Sequence, residues 1–183
     1  LSFGPVTRFD TILVEALENC WDSHHSAVAR RILAHIDFLD ESIGALSDEI
    51  SERLRPVEAA VTLLCTIPGV STLTAEVIVA ETGADMARFP SAAQLAAWAG
   101  VAPANHESAG KRRPAGTRQG GRWLRNALIE AAKSASRTKD TYLAAKYRQV
   151  ARRRGPNKAT VAVAHAIIVA AWHMLTTGER YKD

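Results

Sequence analysis

Between positions 105 and 125 the chain reads NHESAGKRRPAGTRQGGRWLR, which joins one serine to six basic side chains and four glycines. Lys111, Arg112, Arg113, Arg118, Arg122 and Arg125 fall within 15 residues. Like charges this dense repel one another unless something negative offsets them. Guanidinium forks match the oxygens of a phosphate, and glycines let the backbone turn and come close to a bulky ligand. The chemistry these types imply is binding of a phosphate-rich polymer, and the charge pattern does not separate DNA from RNA. Arg118, Arg122 and Arg125 are spaced four and three apart, which predicts one shared face at the start of a helix, with Thr117 as its cap.

Ser108 stands just ahead of this cluster. Its type and position leave two readings open, a turn residue or a nucleophile. The neighbouring His106 and Glu107 do not decide between them. Adjacent residues rarely aim their side chains at each other, and a Ser–His–acid triad is assembled in space.

The elements that must position this loop are helical by pattern. Val28, Ile32, Ile36, Leu39, Ile43, Leu46, Ile50 and Leu54 recur at spacings of three and four, a stripe close to a heptad seam. They predict one helix from residue 22 to about 54, roughly 50 Å long, ended or kinked by Pro56. A stripe so narrow on so long a helix predicts a partner helix: a second copy, another part of a longer chain, or the body of this same domain. Two apolar segments then flank Ile67-Pro68-Gly69-Val70-Ser71. They resemble a helix-hairpin-helix, whose turn brings backbone N–H groups to a phosphate. On that reading Gly69 and Ser71 contact nucleic acid, although a serine replaces that motif's second glycine; the other reading is a purely structural turn. Ser91 is placed to cap a short helix running to Gly100. Further helices are predicted over about 119–137, with Trp123, Leu124, Ala127, Leu128, Ala131 and Ala132 as the apolar face, then 139–153 and 157–176, the last two separated by Gly155-Pro156.

The expected fold is therefore mainly α: a long coiled-coil-like helix followed by a compact helical domain with a helix-hairpin-helix-like unit and a basic Gly-rich loop. Any strand would be a small hairpin inside 103–118. The expected divisions are 1–21, weakly patterned, with Phe9, Ile12, Leu13, Ala16 and Leu17 on one face; 22–56, the long helix; and 57–183, the compact domain.

Composition narrows the function classes. Apolar residues make up 47% and aromatics 6%, which favours packed helices over a sheet sandwich. The net charge of +4 hides a polarity: −6 over residues 1–66, −2 over 67–103 and +12 over 104–183. The C-terminal part is thus a candidate polyanion-binding surface. Cys20 and Cys65 lack metal-ligand spacing and are expected as reduced thiols. The stretch from Ala159 to Leu175 comes nearest to a membrane span, but His165 and His173 interrupt it, so no membrane association is expected. Leu1 is not an initiator methionine and no signal peptide follows, which predicts a piece of a longer cytoplasmic, nucleoid-associated protein.

The order of motifs from Ile67 onward is specific: the Pro-Gly hairpin, Arg88-Phe89-Pro90-Ser91, Ala99-Gly100, a serine before a small-Gly pair, then a Gly-rich basic loop with Leu124-Arg125. It extends through Tyr142, Tyr147, Arg152-Arg153-Arg154-Gly155 and Lys158-Ala159 to Tyr181. This run resembles the C-terminal transposase domain of the "IS one-ten" insertion-sequence family, the serine-bearing, RuvC-like DEDD transposases related to pilin-gene invertases. It covers about 57–183, and 22–56 resembles the helical linker that precedes that domain.

The resemblance implies that Ser108 is the nucleophile on a DNA phosphodiester, forming a phosphoserine link before strands are exchanged. It implies that Lys111, Arg112, Arg113, Arg118, Arg122, Arg125 and Lys158 bind nucleic acid. A structured guide RNA is the implied second partner, and self-association through the long helix a third. The implied cofactor, Mg²⁺, belongs to an N-terminal RuvC-like domain with four acidic residues. Residues 1–21 are too short to hold that domain, so no metal site is expected in this chain, and the chain by itself is not expected to cut DNA. Two departures from the family pattern stand out: the usual Gly-Gly after the serine is Ala109-Gly110, and the usual Gly-Asn is Gly120-Gly121. The alternative reading is a non-catalytic helix-hairpin-helix module that binds nucleic acid and oligomerises.

Overall fold

The structure, a computed structural model, describes residues 21–103, 106–108, 111–113 and 120–183. It is mainly α, and it divides into two compact units, Leu1–Arg53 and Leu54–Asp183. The segment 1–20, with its weakly patterned apolar residues and Cys20, lies outside the described residues.

The described part of the first unit is dominated by α1, Ser23–Leu54, which matches the heptad-like stripe almost to the residue. Asp22 starts it: its carboxylate accepts the backbone N–H of His25 at 2.9 Å and lies 2.8 Å from the His25 ring Nδ1. Those contacts, the backbone one foremost, hold the Asp22 carboxyl below its usual pKa. No residue of α1 is buried, and the stripe residues Val28 to Ile50 are each between 42% and 61% exposed. Pro56 ends the α-helix as expected, inside a single 3-10 turn at Arg55–Val57.

The second unit holds six helices among its described residues: α2 (Glu58–Leu64), α3 (Thr72–Thr82), α4 (Ala92–Trp98), α5 (Arg122–Ala135), α6 (Tyr142–Arg154) and α7 (Pro156–Thr177). Serine and threonine caps set three of the starts. Ser71, Ser91 and Thr141 each accept the backbone N–H three residues ahead. Pro156 occupies the first turn of α7, where its missing N–H costs nothing.

Helix α7 is the hub. Its Val163, Ala164, Ile167, Ile168 and Ala171 are fully buried, and it packs on α2, α4, α5 and α6. Leu64, Ile67, Ile78, Leu95, Leu124, Leu128 and Leu143 complete the core. An 18-residue window of α7 has a mean hydropathy of 1.6, so by length and composition this helix is apolar enough to cross a membrane. The sequence expectation had excluded that on the strength of His165 and His173. Here the apolar residues form the interior of the unit. His165 is half-buried, and that burial, with the charge of Lys146 second, lowers its pKa.

The tail after α7 straps back over the unit. The backbone N–H of Tyr181 donates to Thr66 Oγ1 at 3.2 Å, and Asp183 accepts the N–H of Tyr142 at 3.0 Å. Burial first, then the Asp183 charge, pushes the Tyr181 hydroxyl up to about 12.

Candidate nucleic-acid interface

The loop that carries Ser108 contains two three-residue strands, β1 (His106–Ser108) and β2 (Lys111–Arg113). They pair antiparallel, with His106 opposite Arg113, Glu107 opposite Arg112, and Ser108 opposite Lys111. The small hairpin expected within 103–118 is therefore present. Opposed residues in such a ladder have Cα atoms about 4.5–5.5 Å apart, so the register holds Ser108 next to Lys111. Ala109, Gly110 and residues 114–119, among them Thr117 and Arg118, lie outside the described residues.

The chain next appears at Gly120, where it crosses the end of α4 at close range. A Cβ on Gly120 would lie 2.3 Å from the Gly100 nitrogen and 2.4 Å from the Ala99 carbonyl carbon. Two of the sequence motifs, Ala99-Gly100 and Gly120-Gly121, are thus the two sides of one backbone crossing. The end of α4 is itself shaped for it. Gly100 has φ +70, the Gly100 N–H bonds the Ala97 carbonyl, and the Val101 N–H reaches back to Ala96, which together make a Schellman turn.

Helix α5 begins at Arg122, three residues later than the sequence pattern predicts. Its N-cap is Gly121, with no side-chain cap. Of the three arginines expected on one face, Arg122 and Arg125 lie in the first turn of α5. The first turn contains no acidic residue. Cations at a helix N-terminus oppose the macrodipole, and the exposed amides there attract anions. Arg122 is exposed and Arg125 half-buried.

A second difference lies beside it. Trp123 was expected on the buried face, but the face that packs is Leu124, Leu128, Ala131, Ala132 and Ala135, and Trp123 is 73% exposed. Leu124, Leu128, Ala131 and Ala135 recur at spacings of three and four, so the buried stripe runs through Leu124 and leaves its neighbour Trp123 off it. Trp98 is 41% exposed, and its ring edge lies 3.9 Å from where a Gly121 Cβ would sit.

A further cationic group sits at the α6–α7 turn. Arg152, Arg153 and Arg154 form the last turn of α6 and Lys158 the first turn of α7, all exposed. None of the four has an acidic partner within 4.0 Å among the described residues. The Pro-Gly hairpin has a different character. Gly69 has φ +85, and a Cβ there would lie 2.4 Å from the Ala135 nitrogen and 2.6 Å from the Ala131 oxygen. The Val70 N–H is taken by the Ile67 carbonyl at 3.1 Å, and Ser71 caps α3. The close approach to the end of α5 accounts for the glycine at position 69. No group of three or more His, Cys, Asp or Glu among the described residues is arranged to hold a metal ion.

The family model for transposases of the IS116/IS110/IS902 family matches residues 61–148. The chain carries a transposase domain of this family. The y4pF/y4sB protein of Sinorhizobium fredii is 32% identical over 166 residues, which is 87% of this chain and 40% of that protein. The transposase for insertion sequence element IS1111A of Coxiella burnetii is 32% identical over 147 residues, covering 78% of this chain and 40% of its own length. The chain therefore spans well under half the length of these relatives. Within this transposase domain the match runs from Val61 in α2 to Arg148 in α6 and takes in the hairpin, the backbone crossing and the start of α5. The exposure of Trp123 was not read from the sequence. The available signal was the Gly120-Gly121 pair, which places the helix start one residue before the tryptophan.

Proposed function

We propose that this chain is the serine-bearing, nucleic-acid-binding part of a DNA transposase. The observation that carries this is the hairpin register: Ser108 is held opposite Lys111, beside Arg112 and Arg113, on a domain that belongs to a transposase family. On this reading the Ser108 hydroxyl attacks a DNA phosphorus atom. A Ser–O–P bond forms as one P–O bond to deoxyribose breaks, and the released sugar oxygen takes up a proton. The number of phosphate ester bonds is conserved, so a second sugar hydroxyl can reverse the step and join a new strand. The cations of the loop offset charge that builds on the phosphoryl oxygens. A serine hydroxyl needs a base or a metal to lose its proton at neutral pH. On the family resemblance, that task falls to a RuvC-like domain with four acidic residues.

DNA is the proposed substrate, and a structured RNA the proposed selector of sites, on the strength of the family resemblance. The exposed seam of α1 is proposed to associate with the same seam of a second copy. In a strand-exchange assay with the complete transposase, Ser108→Ala should abolish exchange while nucleic-acid affinity changes less than about twofold, because only the hydroxyl is lost. Exchange at the wild-type rate in that variant would leave a binding module with no chemistry.

A further inference from the structure

The start of α5 presents more than positive charge. Four tryptophans occur in the chain. Two have structural duties: Trp21 donates its indole N–H to Ser26 at 2.7 Å, and Trp172 donates to the Phe89 carbonyl at 2.8 Å. The other two, Trp98 and Trp123, make no such bond among the described residues, and both remain substantially exposed. Tryptophan is large and mostly apolar, so leaving it 73% exposed in a well-formed helix forgoes a substantial burial energy.

Trp98, the last residue of α4, and Trp123, in the first turn of α5, flank Gly121 in different ways. Trp98 touches that residue's position directly, and Trp123 follows two residues on. Trp98 is held in place from behind: its ring centroid lies 5.6 Å from that of Phe89, tilted by 59°, and the Phe89 carbonyl is tied to α7 through Trp172. The exposed Arg122 stands between Gly121 and Trp123, and the uncapped N-terminus of α5 adds its amides. An exposed tryptophan next in the chain to an exposed arginine, at a helix N-terminus, fits one nucleotide, which carries a base and a phosphate joined through a sugar. An apolar protein segment would leave the arginine and the amides unmatched. A base paired inside a duplex has no free face to offer.

We propose that Trp123, at the start of α5, is a stacking platform for an unpaired base of a bound nucleic-acid strand, with Trp98, at the end of α4, as a second exposed aromatic surface beside Gly121. This rests on the reading of the domain as a nucleic-acid-binding transposase part, and it adds that the bound strand is opened at the start of α5. The platform fixes where along the strand the phosphate falls, because one splayed base sets the register of its neighbours.

The test titrates the chain with a single-stranded DNA oligonucleotide and with the duplex of the same sequence, following tryptophan emission and anisotropy of a labelled strand. Single-strand binding should quench the emission. Trp123→Ala should weaken single-strand binding by about tenfold, in the range of one lost base–aromatic stack, and leave duplex binding within about twofold. Trp123→Phe should restore most of the loss. Because Trp123 is exposed, both variants should keep the helical circular-dichroism spectrum, and Trp98→Phe provides a second, conservative probe. Equal affinities for wild type and Trp123→Ala on both DNAs would overturn the platform, as would equal losses on both. Should Arg122→Gln with Arg125→Gln abolish binding while Trp123→Ala changes nothing, the nucleic-acid reading stands and the platform falls. Absence of binding to either DNA overturns both.

Discussion

Two glycines, Gly69 and Gly120, are required by close backbone contacts. At Gly69 a methyl group would meet the backbone of Ala131 and Ala135, and φ is positive, so neither movement of a side chain nor a backbone adjustment relieves it. Overpacking and a left-handed alanine together cost about 3 kcal/mol. Gly69→Ala should therefore lower the melting temperature by roughly 10 °C in a thermal scan. Gly121 gives the contrast. Its φ is −52, and a Cβ there meets nothing closer than Glu81 Oε2 at 3.7 Å. Gly121→Asn should match or slightly exceed the wild-type stability, by about a few tenths of a kcal/mol in a thermal scan, because asparagine can cap α5. That pair of results answers a question the sequence raised. The family's usual Gly-Asn departs here at the second position, where there is room, and is kept at the first, where Gly120 lies against Gly100. The spacing of the motifs was legible from the sequence. The reason for them was not, since a contact between positions 100 and 120 leaves no mark on local periodicity.

At the scale of elements, legibility followed sustained patterning and clear helix breakers. Helix α1 was readable almost to its ends because a sustained apolar stripe and Pro56 delimit it. Helices α6 and α7 were readable because Gly155-Pro156 separates them and Pro156 sits where a helix accepts it. The start of α5 was misplaced because arginines at helical spacing mimic a helical face before the helix begins. The apolar pattern also cannot tell Trp123, outside, from Leu124, inside, when they adjoin at a terminus. The α1 stripe makes an expectation that belongs to the element alone. Ile36 and Ile43 lie on it at a spacing of seven, and both are exposed. If the seam pairs with a second copy, Ile36→Glu with Ile43→Glu should place four carboxylates in one apolar seam and reduce the mass seen by light scattering to that of one chain. The helix content should change little, since neither residue is buried within the chain. A wild-type chain that scatters as a monomer at high concentration would remove the seam from consideration as a self-association site.

Across the whole molecule the charge is distributed unevenly: −6 over residues 1–66 and +12 from residue 104 onward. Among the described residues from 120 onward, Lys133 pairs with Glu130 and Lys182 with Glu179, both exposed, where such a pair contributes little. The cations at the α6–α7 turn have no such partner, and three of them are stabilised instead by the C-terminal end of the α6 dipole. A cluster kept in this way is available to a polyanion, and each phosphate it neutralises releases a counterion. The logarithm of the association constant should then fall linearly with the logarithm of salt, with a slope of about 0.9 per phosphate contacted on duplex DNA. Replacing Arg152, Arg153 and Arg154 by glutamine should shallow that slope by about 2 to 3, if each contacts one phosphate, while leaving the fold intact because all three are exposed. Trp123→Ala should leave the slope as it is, since a stacked base releases no counterion. The two variants together thus separate the charge proposed to gather the nucleic acid from the aromatic surface proposed to order one base of it. A triple variant with an unchanged slope would mean that the polyanion reaches the chain through the loop and the start of α5, and not through the α6–α7 turn.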